Sequence, residues 1–165
     1  YFKFSSNIMG NFSEESVTRL FAALGPLPDL QELSLDFLDC SRIQLRTIKP
    51  FFIGFSSFKF LKKLDITFQE LNMNKDLYDL LFMNLGIITS LTSLEISIVD
   101  RERKQQIEII NQTFTEMCSR LSGLEQLKLN FNTWSLENME CLTTGLMCLK
   151  RLRELSIRNK TLYLE

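Results

Sequence analysis

The sequence predicts an α/β fold in which strand–helix units of one kind follow one another in an open-ended stack. An apolar triplet with spacings of three and two residues occurs five times, and its last member lies at positions 35, 66, 96, 129 and 157. Successive copies are therefore 31, 30, 33 and 28 residues apart. Between copies the apolar spacing is helical, and within each copy it falls to two, as in a short strand. These observations predict one strand and one helix per repeat.

Each copy has the pattern L-x-x-L-x-L/I. The five copies are Leu30-Leu33-Leu35, Leu61-Leu64-Ile66, Leu91-Leu94-Ile96, Leu124-Leu127-Leu129 and Leu152-Leu155-Ile157. One period before the first of them, Phe2-Lys3-Phe4 has the alternation of a truncated sixth copy. We therefore expect a single domain over 1-165, with strands near residues 2-4, 33-37, 64-68, 94-98, 127-131 and 155-158.

Amphipathic helices are predicted between the strands. Ser13 is a candidate N-cap for a first helix, with an acidic first turn, that ends before Gly25-Pro26. Pro50 is placed in the first turn of a shorter helix, and Ser135 is a second candidate N-cap. The expected core faces are Val17, Leu20, Phe21, Leu24; Phe51, Phe52, Phe55; Leu77, Leu80, Leu81, Leu85, Ile88; Ile107, Ile110, Phe114, Met117, Leu121; and Leu136, Met139, Leu142, Leu146, Leu149.

Neighbouring units must stack, because one unit cannot bury both its strand and its helix. Parallel strands lie about 4.8 Å apart, whereas packed helices need about 8–10 Å. The helical side of the stack is therefore the wider one. We expect an arc with the parallel strands on its concave face and the helices on its convex face.

From Phe2 to about Arg158, these repeats resemble the leucine-rich repeat family, in its long, helix-bearing, ribonuclease-inhibitor-like class. The resemblance implies a horseshoe-shaped solenoid that binds other proteins. The family includes the repeat arms of intracellular innate-immune receptors and substrate-recognition subunits of ubiquitin ligases. The recurring pattern is specific for the fold and unspecific for the function.

The chain departs from the family at the position five residues after the second leucine, where an Asn or Cys usually links adjacent turns. That position holds Leu38, Gln69, Val99, Asn132 and Lys160, so only one residue matches. The preceding position holds Phe37, Phe68, Ile98 and Phe131, which by strand parity point toward the core. We expect this row to extend the core; the alternative is an exposed aromatic row on which a partner docks.

Composition argues against most enzyme classes. The chain of 165 residues contains no His, which removes His-based nucleophilic catalysis and His-ligated zinc. Its net charge of −1 disfavours a nucleic-acid platform, and its apolar runs are far shorter than the roughly 20 residues of a membrane span. We therefore expect a protein that is not an enzyme, with no cofactor, no metal, no nucleic-acid partner and no membrane segment.

The cysteines predict a reducing location. Cys40, Cys118, Cys141 and Cys148 are too few and too irregularly spaced for a disulfide framework, and they form no CxxC pair. We expect buried thiols that act as small apolar residues, in a cytoplasmic protein.

Strand parity also names the residues of the concave face. They are Ser34, Asp36, Asp65, Thr67, Glu95, Ser97, Lys128, Asn130, Ser156 and Arg158, with Lys3 on the first strand. The charge changes sign along the stack, from acidic in the second to fourth repeats to basic in the fifth and sixth. Such a surface suits a dipolar protein partner; the alternative is that these positions are polar only because they face solvent.

The sequence thus predicts a non-catalytic module that recognises a protein partner, of unspecified identity, or regulates its parent protein. One candidate that the resemblance implies is the repeat region of an intracellular innate-immune receptor. The alternatives are a structural scaffold segment inside a large assembly, the substrate-recognition part of a ubiquitin ligase, and an enzyme or enzyme regulator whose catalytic groups lie outside this chain. Because the chain opens on Tyr1-Phe2-Lys3-Phe4 within a repeat, we expect it to continue into further repeats or domains of a longer protein.

Overall fold

Strands and helices alternate along the chain. The computed structural model describes residues 2–9, 14–24, 27, 29–38, 45–69, 74–99, 111–131 and 139–159. The elements are β1 (Phe2–Met9), α1 (Glu14–Leu24), β2 (Leu30–Leu38), α2 (Leu45–Gly54) with a 3₁₀ turn over Phe55–Ser57, β3 (Lys63–Gln69), α3 (Lys75–Leu85), β4 (Ser93–Val99), α4 (Gln112–Arg120), β5 (Gln126–Phe131), α5 (Met139–Cys148) and β6 (Glu154–Asn159). The α/β class predicted from the sequence is confirmed.

The strands form one parallel sheet of six in the order of the chain, β1 to β6. From β2 to β6 the register runs without a break and aligns the last apolar position of each triplet with that of the next. A register irregularity occurs between Phe2 and Lys3 in β1. Each of the six predicted strand segments lies inside an observed strand, and the observed strands are longer.

The described helices cover one face of this sheet. Along β3, Leu64, Ile66 and Phe68 are buried while Asp65 and Thr67 are partly exposed. Each helix contacts the next one along the chain, from α1 to α5. Rings on helices meet rings on strands edge-on, with centroid distances of 5.9 Å from Phe52 to Phe68 and 6.1 Å from Tyr78 to Phe131. The strand residues of opposite parity form a second face, which no described helix covers.

A row of large apolar side chains crosses the core near the carboxyl ends of four strands. Phe37, Phe68, Ile98 and Phe131 are all buried, and the Phe37 and Phe68 rings stack with centroids 5.0 Å apart. The prediction that this row extends the core is confirmed, and the alternative of an exposed aromatic row is wrong for these residues.

Backbone hydrogen bonds join each unit to the next just before the strands begin. The carbonyl of Lys62 accepts the amides of Thr92 and Ser93, at 2.8 and 3.0 Å. The arrangement recurs at the next two junctions, where Thr92 accepts from Glu125 and Gln126, and Glu125 accepts from Arg153 and Glu154. The hydroxyl of Ser90 adds a bond of 2.7 Å to the Leu61 carbonyl. These bonds satisfy backbone groups at the start of the strands.

At the position where leucine-rich repeats usually have an Asn, Gln69 and Val99 are partly exposed. The side chains of Leu38, Asn132 and Lys160 lie outside the described part of the chain.

The prediction for Pro50 is wrong. Pro50 is the sixth residue of α2 and not part of its first turn. An interior proline removes one helical hydrogen bond and costs about 3 kcal/mol. The helix nevertheless includes the preceding turn, because Ile48 is buried on the same face as Phe52 and Phe55. Tertiary burial thus outweighs the local preference, and the helix gives way to a 3₁₀ turn five residues later.

The start of α4 also differs from the prediction. Asn111 has an extended backbone, and its side-chain oxygen accepts from the amides of Thr113 and Phe114, which makes it the N-cap. The amide nitrogen of Asn111 and the Thr113 hydroxyl both donate to Asp79 on α3, at 2.6 and 2.9 Å. The helix therefore begins at Gln112. Ile107 and Ile110, which were expected on its core face, lie outside the described residues, as do Ser13, Gly25-Pro26, Ser135 and Leu136.

The fifth helix buries a somewhat different face from the expected one. Met139, expected in the core, is 49% exposed, and Gly145 is buried. A Cβ at Gly145 would lie 3.0 Å from Cε1 of Phe114 and 3.4 Å from Sγ of Cys118. The missing side chain therefore lets α5 approach α4 along the Gly145 side.

The three described cysteines are free. Cys118 is fully buried, as predicted, whereas Cys141 and Cys148 are partly exposed; Cys40 lies outside the described residues. Burial, with a smaller contribution from Cys148, raises the pKa of the Cys118 thiol to about 12. Because the thiolate is the reactive form, Cys118 is chemically protected in the folded state.

We expect Phe68→Ala to lower the free energy of unfolding by about 3–5 kcal/mol, because the substitution leaves a cavity between the sheet and α2. The matched control is Phe60→Ala, whose ring is 58% exposed; we expect it to change stability by less than about 0.5 kcal/mol. Urea denaturation of both variants measures the difference. Equal losses would contradict the assignment of Phe68 to the core.

We expect iodoacetamide to modify Cys118 far more slowly than Cys148 in the folded protein at neutral pH, because both burial and its pKa disfavour the thiolate. Mass spectrometry of the labelled peptides follows each site separately. In urea the rates should converge. A Cys118 that reacts as fast as Cys148 before unfolding would show that the α4–α5 contact is open.

Candidate functional site

The uncovered face of the sheet carries two rows of polar side chains that cross five strands in register. The first row is Ser34, Asp65, Glu95, Lys128 and Ser156. The second row, two residues further along each strand, is Asp36, Thr67, Ser97, Asn130 and Arg158. We call these ten residues the polar face. They are the ten that strand parity predicted, and the structure brings all of them together.

A third row, which the sequence reasoning missed, extends the same face toward the start of the strands. It consists of Glu32, Lys63, Ser93, Gln126 and Glu154. Lys3 of β1 is in register with Glu32, although its side chain is outside the description. The alternation of inward and outward side chains, continued two residues toward the start of each strand, would have identified this row. It was missed because the predicted strands were too short.

Ser97 differs from its expected exposure. Only 8% of its surface is accessible, because the side chain of Asn130 on the neighbouring strand lies against it and donates from Nδ2 to the Ser97 hydroxyl at 3.1 Å. The Oδ1 atom of Asn130 is buried and has no hydrogen-bond partner. Asn130, and not Ser97, therefore carries the unpartnered acceptor at this point of the face.

One end of the polar face is acidic. Asp65 on β3 is in register with Glu95 on β4. Burial is the largest cause that raises the pKa of Asp65 above its usual 3.8, followed by the charge of Glu95, while Asp36 adds to the rise and Lys63 and Lys128 oppose it. The folded protein thus holds like charges side by side, at a cost that a cation placed there would relieve.

The other end carries two cations in different states. Nζ of Lys128 lies 3.0 Å from Oε1 of Glu154 on the next strand. This hydrogen bond and the Glu154 charge raise the pKa of Lys128. Arg158 is exposed and makes no ion pair or hydrogen bond with any described residue. Its guanidinium is therefore the available donor group at this end of the face.

An open cleft of about 240 Å³ lies between β4 and β6. Its lining residues are Glu95, Lys128, Leu129, Asn130, Glu154, Ser156 and Arg158. The cleft is smaller than a usual small-molecule site, which measures roughly 300–1,000 Å³. Its size suits a single side chain of a larger ligand.

Comparison with protein-family models, curated proteins and solved structures gives no match for this chain. Within the described ranges, no cluster of three or more His, Cys, Asp or Glu side chains is placed to hold a metal ion. No helix in the described part of the chain is long and apolar enough to cross a bilayer. The polar face and its cleft are the candidate functional site.

We expect Asp65→Asn to stabilise the protein at pH 7 by less than about 1 kcal/mol, because the carboxylate is half-exposed and partly screened. The pKa of Asp65 is higher in the folded state than in the unfolded state. The protein therefore loses stability as the pH rises from about 3.8 through that raised pKa, because the unfolded state ionises more readily. The gain should therefore vanish below this window. Thermal melts between pH 3 and pH 7 measure it, with Asp29→Asn in the exposed turn before β2 as control. A neutral-pH loss of stability would contradict the burial and like-charge account.

Proposed function

We propose that the chain is a non-catalytic protein-interaction module, an α/β solenoid of leucine-rich repeats that recognises a partner protein through the polar face. The observation that carries this proposal is the polar face itself: ten polar side chains, from five consecutive strands, aligned on a surface that no described helix covers. A regulatory or recognition arm of a larger protein is the role that fits such a surface. Three free cysteines favour a cytoplasmic location as part of the proposal.

The proposed mechanism is geometric. Strand spacing of about 4.8 Å against helix spacing of about 8–10 Å would curve the stack and make the polar face concave. Residues from five separate segments of the chain are then held by one continuous core. The cost of ordering them is met when the protein folds, and little remains to oppose binding.

The charge pattern supports recognition of a partner rather than a face that is merely solvated. A solvated face would gain nothing from placing Asp65 beside Glu95, because this arrangement disfavours ionisation of Asp65. Arg158 at the opposite end is unpaired among the described residues. Charges of opposite sign at the two ends, only partly offset by Lys63 and Lys128 at the acidic end, are complementary to a partner of opposite polarity.

We expect a photo-crosslinking residue at position 67, on the polar face, to form an adduct with a specific protein in extracts of cells that express this chain. The matched position is 144, an exposed threonine on α5, and it should give little of this adduct. Gel mobility and mass spectrometry identify the product. Equal adducts from both positions, or none from position 67, would contradict the proposal.

Reversing charges in two places distinguishes binding to the polar face from attraction to the net charge of the protein. The variant Asp36→Lys/Asp65→Lys/Glu95→Lys should abolish the adduct while the protein stays folded, as circular dichroism of the variant would show. The control variant reverses three exposed helix acids, Glu15, Asp76 and Glu116, and so changes the net charge equally. It should leave the adduct intact; loss in both variants would show attraction to net charge alone.

A further inference from the structure

We infer that the partner places an extended peptide segment across the polar face, with an acidic side chain in the cleft on Arg158 and a basic side chain four residues away over Asp65. This inference rests on the proposed function and adds the chemistry and spacing of the bound segment.

The cleft has a place for a carboxylate. Its lining contains two carboxylates, Glu95 and Glu154, and two cations, Lys128 and Arg158. Glu154 is engaged by Lys128 at 3.0 Å, and Glu95 is in register with Lys128. The Arg158 guanidinium is the cation that has no ion-pair partner among the described residues. A guanidinium presents a planar fork of donors that matches a carboxylate in bidentate geometry. Ser156 lines the same cleft and can donate a further hydrogen bond.

The cleft also has a place for a backbone amide. Oδ1 of Asn130 is buried and unpartnered, since the amide nitrogen of the same side chain is committed to Ser97. An unpartnered buried acceptor is costly, and an N–H donor from a ligand would satisfy it. Asn130 is in register with Arg158. A peptide whose carboxylate reaches Arg158 would therefore bring its own backbone N–H groups next to this acceptor.

The basic side chain of the peptide is assigned to Asp65 for electrostatic reasons. Asp65 is in register with Glu95 on β4 and with Ser34 on β2, and Asp36 lies two residues beyond Ser34. Burial and the charges of Glu95 and Asp36 raise the pKa of Asp65, whereas Lys63 and Lys128 lower it. Glu95 is in register with Lys128 on its other side, which offsets its charge. A cation over Asp65 would be attracted by Asp65, Glu95 and Asp36 together and repelled chiefly by Lys63. A cation over Glu95 would lie next to Lys128, which is the register partner of Glu95.

The geometry fixes the spacing of the two side chains. Asp65 and Arg158 are three strands apart and two residues apart along the strand direction, which corresponds to about 16 Å at usual sheet dimensions. An extended chain advances roughly 3.3 Å per residue, so four or five residues span this distance. Because side chains of an extended chain alternate, only an even spacing puts both on the sheet. Of the even spacings, four residues cover about 13 Å and six cover about 20 Å, so four comes closer to the required distance. The spacing is therefore four, in either chain direction.

The test uses capped nine-residue peptides of alternating threonine and valine that contain one lysine and one glutamate, separated by two, three or four positions. Fluorescence anisotropy at low ionic strength, where charge interactions are least screened, measures binding to the full chain. We expect the spacing-four peptide to bind at least about five-fold more tightly than the other two. Equal affinities, or no binding of the spacing-four peptide, would overturn the inference.

Two variants assign the ends. Arg158→Glu should abolish the preference for spacing four and should restore tight binding when the peptide glutamate is replaced by lysine. Arg151→Glu, an exposed arginine outside the polar face, should leave the preference unchanged. The two experiments can give different answers. If charge reversal abolishes the position-67 adduct but the peptides show no spacing preference, the proposed function is retained and this inference is rejected. Failure of both experiments would reject both.

Discussion

Apolar contact between adjacent strand–helix units is the interaction on which the rest of this structure depends. Phe68 on β3 illustrates it, because its ring stacks on Phe37 of β2 and meets Phe52 of α2 edge-on. A single unit is too small to bury both its elements, so each core face is completed by its neighbours. The register between strands follows from the same constraint, since a slip of one residue would turn the leucines to the opposite face.

The polar face is a consequence of that register. Once Leu64 and Ile66 must point to the helices, Asp65 must point away from them, and parallel pairing places it beside Glu95. The fold thereby places Asp65 where burial and its acidic neighbour raise the pKa of its carboxyl group. The same alignment places Asn130 next to Arg158, where their unused hydrogen-bonding groups face one cleft.

The sequence predicted the features that depend on strict periodicity. The six strands and the burial of Phe37, Phe68, Ile98 and Phe131 follow from two spacings of apolar residues, one of two residues and one of about thirty. Both spacings can be read directly from the sequence. Features that depend on tertiary packing were missed. Pro50 lies inside α2 because Ile48 is buried. Gly145 is buried where α5 packs against Phe114 and Cys118 of α4, with little space for a Cβ atom. On the polar face, parity placed Ser97 correctly on the sheet, but its burial depends on a neighbouring strand.

The most direct test of the central claim is the accessibility of successive residues along one strand. Single cysteine variants at Leu64, Asp65, Ile66 and Thr67 of β3 can be labelled with a maleimide in the folded protein and the rates compared. Our account predicts fast labelling at Asp65 and Thr67 and strong protection at Leu64 and Ile66, because the described helices cover only one face. Equal protection at all four positions would contradict it, since the sheet would then be covered on both faces.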